Sequence, residues 1–267
     1  MFSKFFPNSH GSSLAAKAVI GMGVLGMMAG ASSANAGIIY QDNFARGTTG
    51  TPLALNASTP SPTDSNSAAW NAGTEFQTNG TEATDGGSSQ MAYLPLSITP
   101  NTVYSLSATL TPVSSISPTN SSNWLALGFG GASSNGSINN PNEKAWLLYR
   151  LNGGTQSFYG LFGGGSNALS GNTGTPGSPD TFTITLNSGT GVVTFSDSLG
   201  LLSRTVTLTN TTVSEIAGVS IGDGAATGNF KSFTLSTPAP AVPEPASLGL
   251  LAVGGLGLLL IKRRRTA

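Results

Sequence analysis

The chain has 267 residues, 11 basic and 11 acidic side chains, one histidine and no cysteine. Six of the basic residues lie in the two end segments, so residues 37–240 carry five cations against ten acids, a net charge of about −5. A mildly acidic body has no electrostatic footprint for nucleic acid. Because His10 is the only histidine and precedes this body, cysteine- or histidine-based chemistry is excluded from residues 37–240.

The start of the chain has the pattern of a secretory signal peptide. Two lysines flank a polar start, residues 18–31 form a short apolar run, and Ala34 and Ala36 complete an A-x-A site. Signal peptidase reads small residues at these two positions. We therefore expect residues 1–36 to direct export through the Sec machinery, with cleavage before Gly37. An uncleaved N-terminal anchor is the alternative.

The sequence pattern of residues 37–236 predicts many short strands. Strict alternation of apolar and polar residues, typical of strands with one buried face, is found at 104–111, 182–186 and 206–209. Further apolar runs between Gly, Asn, Ser and Pro turns lie at 38–44, 124–129, 146–151, 158–162, 192–195, 213–221 and 230–235. We expect about ten to twelve strands. The polar stretch 45–66 reads as loop and 78–89 as a turn region, and no amphipathic helix is indicated.

Four of these segments resemble the concanavalin A-like, or laminin G-like, jelly-roll sandwich. They are Asp42-Asn43-Phe44, residues 123–129, residues 146–150 and residues 230–235. The fold class we predict is all-β, a jelly-roll-like antiparallel β-sandwich with a signal peptide before it and a single transmembrane helix after it. The resemblance implies that the first and last strands lie side by side, so 39–44 is expected beside 230–235.

Motifs for hydrolysis are weak. Residues 218–222 fit G-x-S-x-G, but a nucleophile elbow needs a strand, a sharp turn, a helix and a histidine base. Ser220 instead alternates with apolar neighbours as in a plain strand. A glycosidase needs two carboxylates across a cleft, whereas Glu82, Asp85 and Glu143 read as surface charges. We predict no catalytic residue; a glycoside hydrolase is the remaining enzymatic alternative.

Asp85 and Asp223, each followed by glycine, are weak candidates for calcium ligands. Calcium takes oxygen ligands from carboxylates and loop carbonyls, and the jelly-roll resemblance implies that a structural Ca²⁺ is compatible with the domain. Ordinary Asp-Gly turns are the alternative that we favour. No other cofactor is indicated.

Carbohydrate binding would use aromatic faces stacked on sugar rings, with polar groups beside them. Trp124 and Trp146 begin apolar runs and are expected in the core. Trp70 lies between polar stretches, so we expect it to be exposed. With Tyr149 and Arg150 it makes up the candidate glycan contact.

The C-terminal region has four consecutive parts. Residues 237–241 form a Pro-rich stalk, and Val242-Pro243-Glu244-Pro245 should stay extended because proline cannot continue a helix. Residues 246–261 carry no charge and as a helix would span about 24 Å, slightly less than a hydrocarbon core of roughly 30 Å. Lys262-Arg263-Arg264-Arg265 would hold that end in the cytoplasm.

Residues 242–267 closely resemble the PEP-CTERM sorting signal of Gram-negative bacteria. The resemblance implies recognition by an exosortase and cleavage near Pro243 to Pro245. The protein would be anchored transiently in the inner membrane through residues 246–261, with residues 37–236 outside, and then delivered to the cell surface or extracellular matrix.

We expect a structural or adhesive protein of the exopolysaccharide or biofilm layer. A carbohydrate-binding module is the alternative, and a carbohydrate-active enzyme is the third interpretation. The expected partners of the protein are an exosortase, the Sec machinery, signal peptidase, the membrane and exopolysaccharide.

Overall fold

The computed structural model describes residues 37–64, 67–87, 89–112, 124–130, 143–152, 155–162, 165–170, 178–208, 216–222 and 228–238. The chain divides into two compact units. Residues 36–238 form the unit that contains all of the described structure. The other unit, residues 1–35 with 239–267, lies outside the described residues. The predicted signal peptide, the sorting motif and the predicted membrane helix 246–261 therefore fall outside them.

The described residues are organised as strands, as the all-β prediction expects. The strands are β1 (Gly37–Asp42), β2 (Leu53–Ala54), β3 (Pro62–Asp64), β4 (Asn71–Ala72), β5 (Phe76–Thr78), β6 (Ala83–Asp85), β7 (Gln90–Pro95), β8 (Val103–Pro112), β9 (Trp124–Gly130), β10 (Glu143–Asn152), β11 (Thr155–Phe162), β12 (Gly165–Ser170), β13 (Asp180–Asn187), β14 (Val192–Asp197), β15 (Ser203–Thr207), β16 (Ile216–Gly222) and β17 (Gly228–Thr237). Across the described ranges no helix is long and apolar enough to cross a bilayer.

The expected count of about ten to twelve strands is wrong. The structure has more because β2 to β6 are only two or three residues long. Such lengths are too short for a period of two to show in the sequence. Two of these strands, β2 and β3, lie within the stretch 45–66 that reads as loop, and β6 lies within the expected turn region 78–89.

The strands form two antiparallel sheets. The first sheet has the order β15-β14-β13-β8-β17-β6-β5-β2, with β1 beside β17 and β3 beside β1. The second sheet has the order β12-β11-β10-β9-β16-β7-β4. The expected pairing of the first and last segments is confirmed, because β1 pairs with β17 and places Tyr40 opposite Leu235 and Asp42 opposite Phe233.

The main core fills the space between the two sheets. Along β8 every second residue is buried, which is the alternation that its sequence shows. Leu106 of β8 and Leu127 of β9 belong to this one core cluster. The ring of Tyr149 on β10 packs 5.6 Å from the ring of Phe182 on β13, so the contact joins the two sheets.

The middle of the second sheet is buried on both faces. β9 and β16 are buried along their whole length, which is why they read as continuous apolar runs. Their alternate residues face away from the main core and join a second cluster, here called the outer cluster. It consists of Met91, Tyr93, Trp124, Ala126, Trp146, Leu148 and Ile216.

Candidate functional site

Trp70 is a core residue, so the expectation that it is exposed is wrong. Its side chain is 1% exposed. The indole N–H donates to Oδ2 of Asp42 at 2.7 Å, and the ring packs edge-on against Phe233 with centroids 5.0 Å apart. A buried tryptophan needs a partner for its N–H, and here a carboxylate from β1 supplies it.

Asp42 holds Trp70 as part of a hydrogen-bond network at the end of β1. The carboxylate is fully buried. Besides the indole, it accepts the backbone N–H of Phe44 at 2.8 Å and pairs with the guanidinium of Arg46 at 2.6 Å. Arg46 also donates to the carbonyl of Thr59 at 2.8 Å. Three donors therefore satisfy this carboxylate, and the network ties the end of β1 to two loops rather than to a ligand.

Tyr149 is also buried, with 4% of its side chain exposed. Burial raises the pKa of its hydroxyl, and the nearby carboxyl of Asp180 adds to the increase. Neither Tyr149 nor Trp70 presents a free ring face for a sugar. The backbone of Arg150 lies between Trp124 and Ser157 in the second sheet. Its side chain is not among those described, so its glycan contact stays a prediction.

A pair of acids lies beside Tyr149 where β13 begins and β14 ends. Oδ1 of Asp180 accepts the hydroxyl of Ser198 at 2.7 Å, and Oδ1 of Asp197 accepts the backbone N–H groups of Leu201 and Leu202 at 2.8 and 2.9 Å. Oδ2 of Asp197 is buried and has no donor within the described part of the chain.

Burial raises the pKa of Asp180, the Ser198 hydroxyl opposes the increase, and Asp197 adds to it. The two acids therefore lie near one another at the end of the β13–β14 pair, where Phe182 is opposite Asp197.

Ser220 occupies a straight part of β16, not a nucleophile elbow. It is fully buried, and its hydroxyl donates to the carbonyl of Gln90 at 2.7 Å. The hydroxyl oxygen of Ser220 in turn accepts the indole N–H of Trp124 at 3.5 Å. The hydroxyl thus links β16 to β7 and β9, as the plain-strand interpretation expects.

The sequence-based interpretation of Asp85 as a surface charge is wrong. The side chain is fully buried at the end of β6. Oδ1 accepts the N–H of Gly87 at 3.0 Å, in the manner of an Asp-Gly turn. Oδ2 is buried and finds no partner in the described ranges. Asp223, the other calcium candidate, lies outside these ranges, within which no group of three or more His, Cys, Asp or Glu residues is gathered.

Residues 241–265 match the family model of the PEP-CTERM protein-sorting motif. This chain carries a PEP-CTERM sorting motif. The resemblance drawn from Val242-Pro243-Glu244-Pro245, the apolar segment and Lys262-Arg263-Arg264-Arg265 is thereby confirmed. A comparison with curated protein sequences finds no match.

Solved structures of carbohydrate recognition domains are similar to the sandwich. The Emp47p carbohydrate recognition domain superposes with a TM-score of 0.50 at 14% identity, over 78% of this chain and 100% of that domain. The exoplasmic/lumenal domain of VIP36, in a Ca²⁺- and mannose-bound form, gives 0.48 at 10% identity, over 66% and 84%. At 14% identity the likeness to the Emp47p domain is one of fold, and it agrees with the jelly-roll prediction.

Proposed function

We propose that the protein is exported, held briefly in the inner membrane and released by an exosortase to the cell surface or extracellular matrix. The observation that carries this proposal is the sorting motif in residues 241–265. Export would use the Sec machinery, and signal peptidase would cut between Ala36 and Gly37. Residues 246–261 would form the temporary membrane helix, with Lys262 to Arg265 in the cytoplasm.

The positions of the first and last strands are compatible with cleavage at both proposed points. β1 begins at Gly37, and Gly37 lies opposite Thr237 on β17. Both proposed cleavage points lie just beyond this pair of strands, after Ala36 and near Pro243 to Pro245. Removing both end segments would therefore leave every described strand in place.

The test replaces Pro243, Glu244 and Pro245 with alanine in a host that has an exosortase. We expect the variant to remain in the membrane fraction at full length, whereas the parent is shortened and released; immunoblots of the fractions measure both. Replacing Pro238 and Pro240 of the stalk with alanine is the matched control and should leave release unchanged. Release of a shortened Pro243–Pro245 variant would refute the sorting proposal.

In the matrix, we propose a structural or adhesive role for the displayed sandwich in the exopolysaccharide layer. Among the described acids, Asp42, Asp85 and Asp180 are buried inside the fold. A stable sandwich without cysteine suits display outside the cell, because its core does not depend on the redox state of its surroundings.

Glycan binding is a second candidate. Its support is the carbohydrate recognition domain of Emp47p, whose whole length is matched by this fold. Since Trp70 and Tyr149 are buried, Arg150 is the remaining predicted contact. A glycan array probed with the full-length chain, and with Arg150→Ala as the comparison, tests it. Absence of binding to any sugar would exclude this function.

A further inference from the structure

The turn after β6 contains a buried carboxylate that lacks a partner. Asp85 lies on the same face of β6 as Ala83, two residues earlier, and both side chains are fully buried. The N–H of Gly87 satisfies Oδ1. Oδ2 is buried without a donor in the part of the chain that the structure describes. A buried carboxylate oxygen in this state is costly unless a proton or a cation accompanies it.

A second carboxylate, that of Glu75, is held over the same turn. The carbonyl of Glu75 accepts the N–H of Gly86 at 3.2 Å, and its own N–H donates to Oε1 of Gln90 at 3.3 Å. Its carboxylate rests on Gly87 so closely that a Cβ built there would lie 1.0 Å from Oε2. A side chain at position 87 would displace this carboxylate, so the glycine leaves room for the approach.

The two acids repel one another across this turn. Burial raises the pKa of Asp85, the N–H of Gly87 opposes the increase, and the charge of Glu75 adds to it. Glu75 is exposed at the rim whereas Asp85 is buried beneath it. An exposed acid and a buried one thus share this turn, and Oδ2 of Asp85 has no partner among the described residues.

We propose that this turn binds Ca²⁺, with Oδ2 of Asp85 and the carboxylate of Glu75 as its charged ligands. The donor set favours calcium because it is made of oxygen atoms, and Ca²⁺ completes six to eight ligands with backbone carbonyls and water. Two carboxylates give a weak site, in the range of about 10⁻⁴ to 10⁻³ M that extracellular modules use. The proposal does not depend on the sorting pathway or on glycan binding.

The test is a thermal melt of the full-length chain in mild detergent. The fluorescence of its three tryptophans monitors unfolding. Roughly 10 mM CaCl₂, about tenfold or more above the expected Kd, should raise Tm by about 3–5 °C relative to NaCl of equal ionic strength. No rise in Tm would refute the proposal.

Variants separate calcium binding from a merely protonated Asp85. Glu75→Gln alters an exposed residue and should weaken the Kd for Ca²⁺ about tenfold while the chain still folds. Gly87→Ala keeps both acids but displaces the Glu75 carboxylate, so it should also lose most of the shift. Asp85→Asn should abolish it. If Asp85→Asn raises Tm without calcium, and calcium has no effect on the parent, Asp85 carries a proton and the proposal is wrong.

Two matched controls remove a carboxylate elsewhere. Glu82→Gln changes an acid on the same β5–β6 hairpin, next to the turn that joins the strands. Asp180→Asn changes a buried acid that also lies beside a second carboxyl group. Both should retain the full calcium shift. Loss of the shift in Asp180→Asn together with its retention in Glu75→Gln would overturn the assignment to Asp85 and Glu75.

Discussion

Three aspartates occupy inward positions at the ends of strands, and their surroundings differ. Asp42 is satisfied by the donors of Phe44, Arg46 and Trp70. Asp85 has one N–H donor and one oxygen that no described group satisfies. Asp180 has the hydroxyl of Ser198 but shares its surroundings with a second carboxyl. The pKa is raised at Asp85 and at Asp180, where burial is the largest cause.

The Asp180 pair predicts a stability that rises on mild acidification. Because burial and Asp197 raise the pKa of Asp180 above its ordinary 3.8, the folded chain keeps a proton that the unfolded chain has already released. Stability contributed by this proton is lost as the pH rises from that ordinary value through the raised pKa. The pair therefore destabilises the fold at neutral pH.

Asp180→Asn should remove this cost. The amide oxygen can still accept the Ser198 hydroxyl, and the amide N–H₂ can donate to the unpartnered Oδ2 of Asp197. We expect unfolding at about pH 7 to cost about 1 kcal/mol more, a Tm increase of about 2–4 °C. At about pH 3, where Asp180 is protonated in the folded chain, the difference should be small. An equal Tm change at both pH values would show that charge repulsion is not its cause.

At the scale of the elements, glycines determine how the outer cluster packs. A Cβ on Gly128 of β9 would lie 2.4 Å from the indole of Trp146, and one on Gly218 of β16 would lie 2.3 Å from the carbonyl of Ala92. The indole can therefore lie directly on the backbone of the neighbouring strand. Gly128 and Phe129, which follow one another on β9, thus face opposite sides of the sheet. Gly128 makes room for the indole of Trp146 in the outer cluster, and Phe129 packs in the main core.

The long strands were predictable because their own residues carry the pattern. Alternation at 104–111 and 182–186 corresponds to β8 and β13, each extended by one or two residues at its ends. β12 has no such pattern; its strand form depends on backbone pairing with β11. Short strands and β12 are therefore set by neighbours that a local sequence window does not contain.

The candidate site was less predictable, because polar contacts join distant segments. Trp70 was misjudged since its partner Asp42 lies 28 residues earlier. The burial of Asp180 could have been predicted from the sequence. Phe182, Ile184 and Leu186 are buried at every second position of β13, and the same spacing places Asp180 on the buried face. The neighbours that give Asp180 its properties, however, come from the end of β14 and the turn after it.

At the scale of the whole molecule, the last strand completes the sandwich. β17 lies inside the first sheet, where it pairs with β8, β6 and β1. Its side chains Phe230, Phe233 and Leu235 are fully buried in the main core. The final described strand thus ends only a few residues before the sorting motif that begins at residue 241. The sandwich is complete before any residue of the motif is needed.

Two truncations should therefore behave very differently. A chain ending at Pro238 keeps β17 and should unfold cooperatively, with a Tm within about 2 °C of the parent. A chain ending at Gly222 loses three buried side chains worth about 1.5–3 kcal/mol each, a sum comparable to the roughly 5–15 kcal/mol stability of a domain. It also leaves β8 and β1 without their shared neighbour. We expect it to lack a cooperative transition by tryptophan fluorescence and near-UV circular dichroism. A cooperative melt of the shorter chain would show that β17 is dispensable and that the fold does not depend on its C-terminal strand.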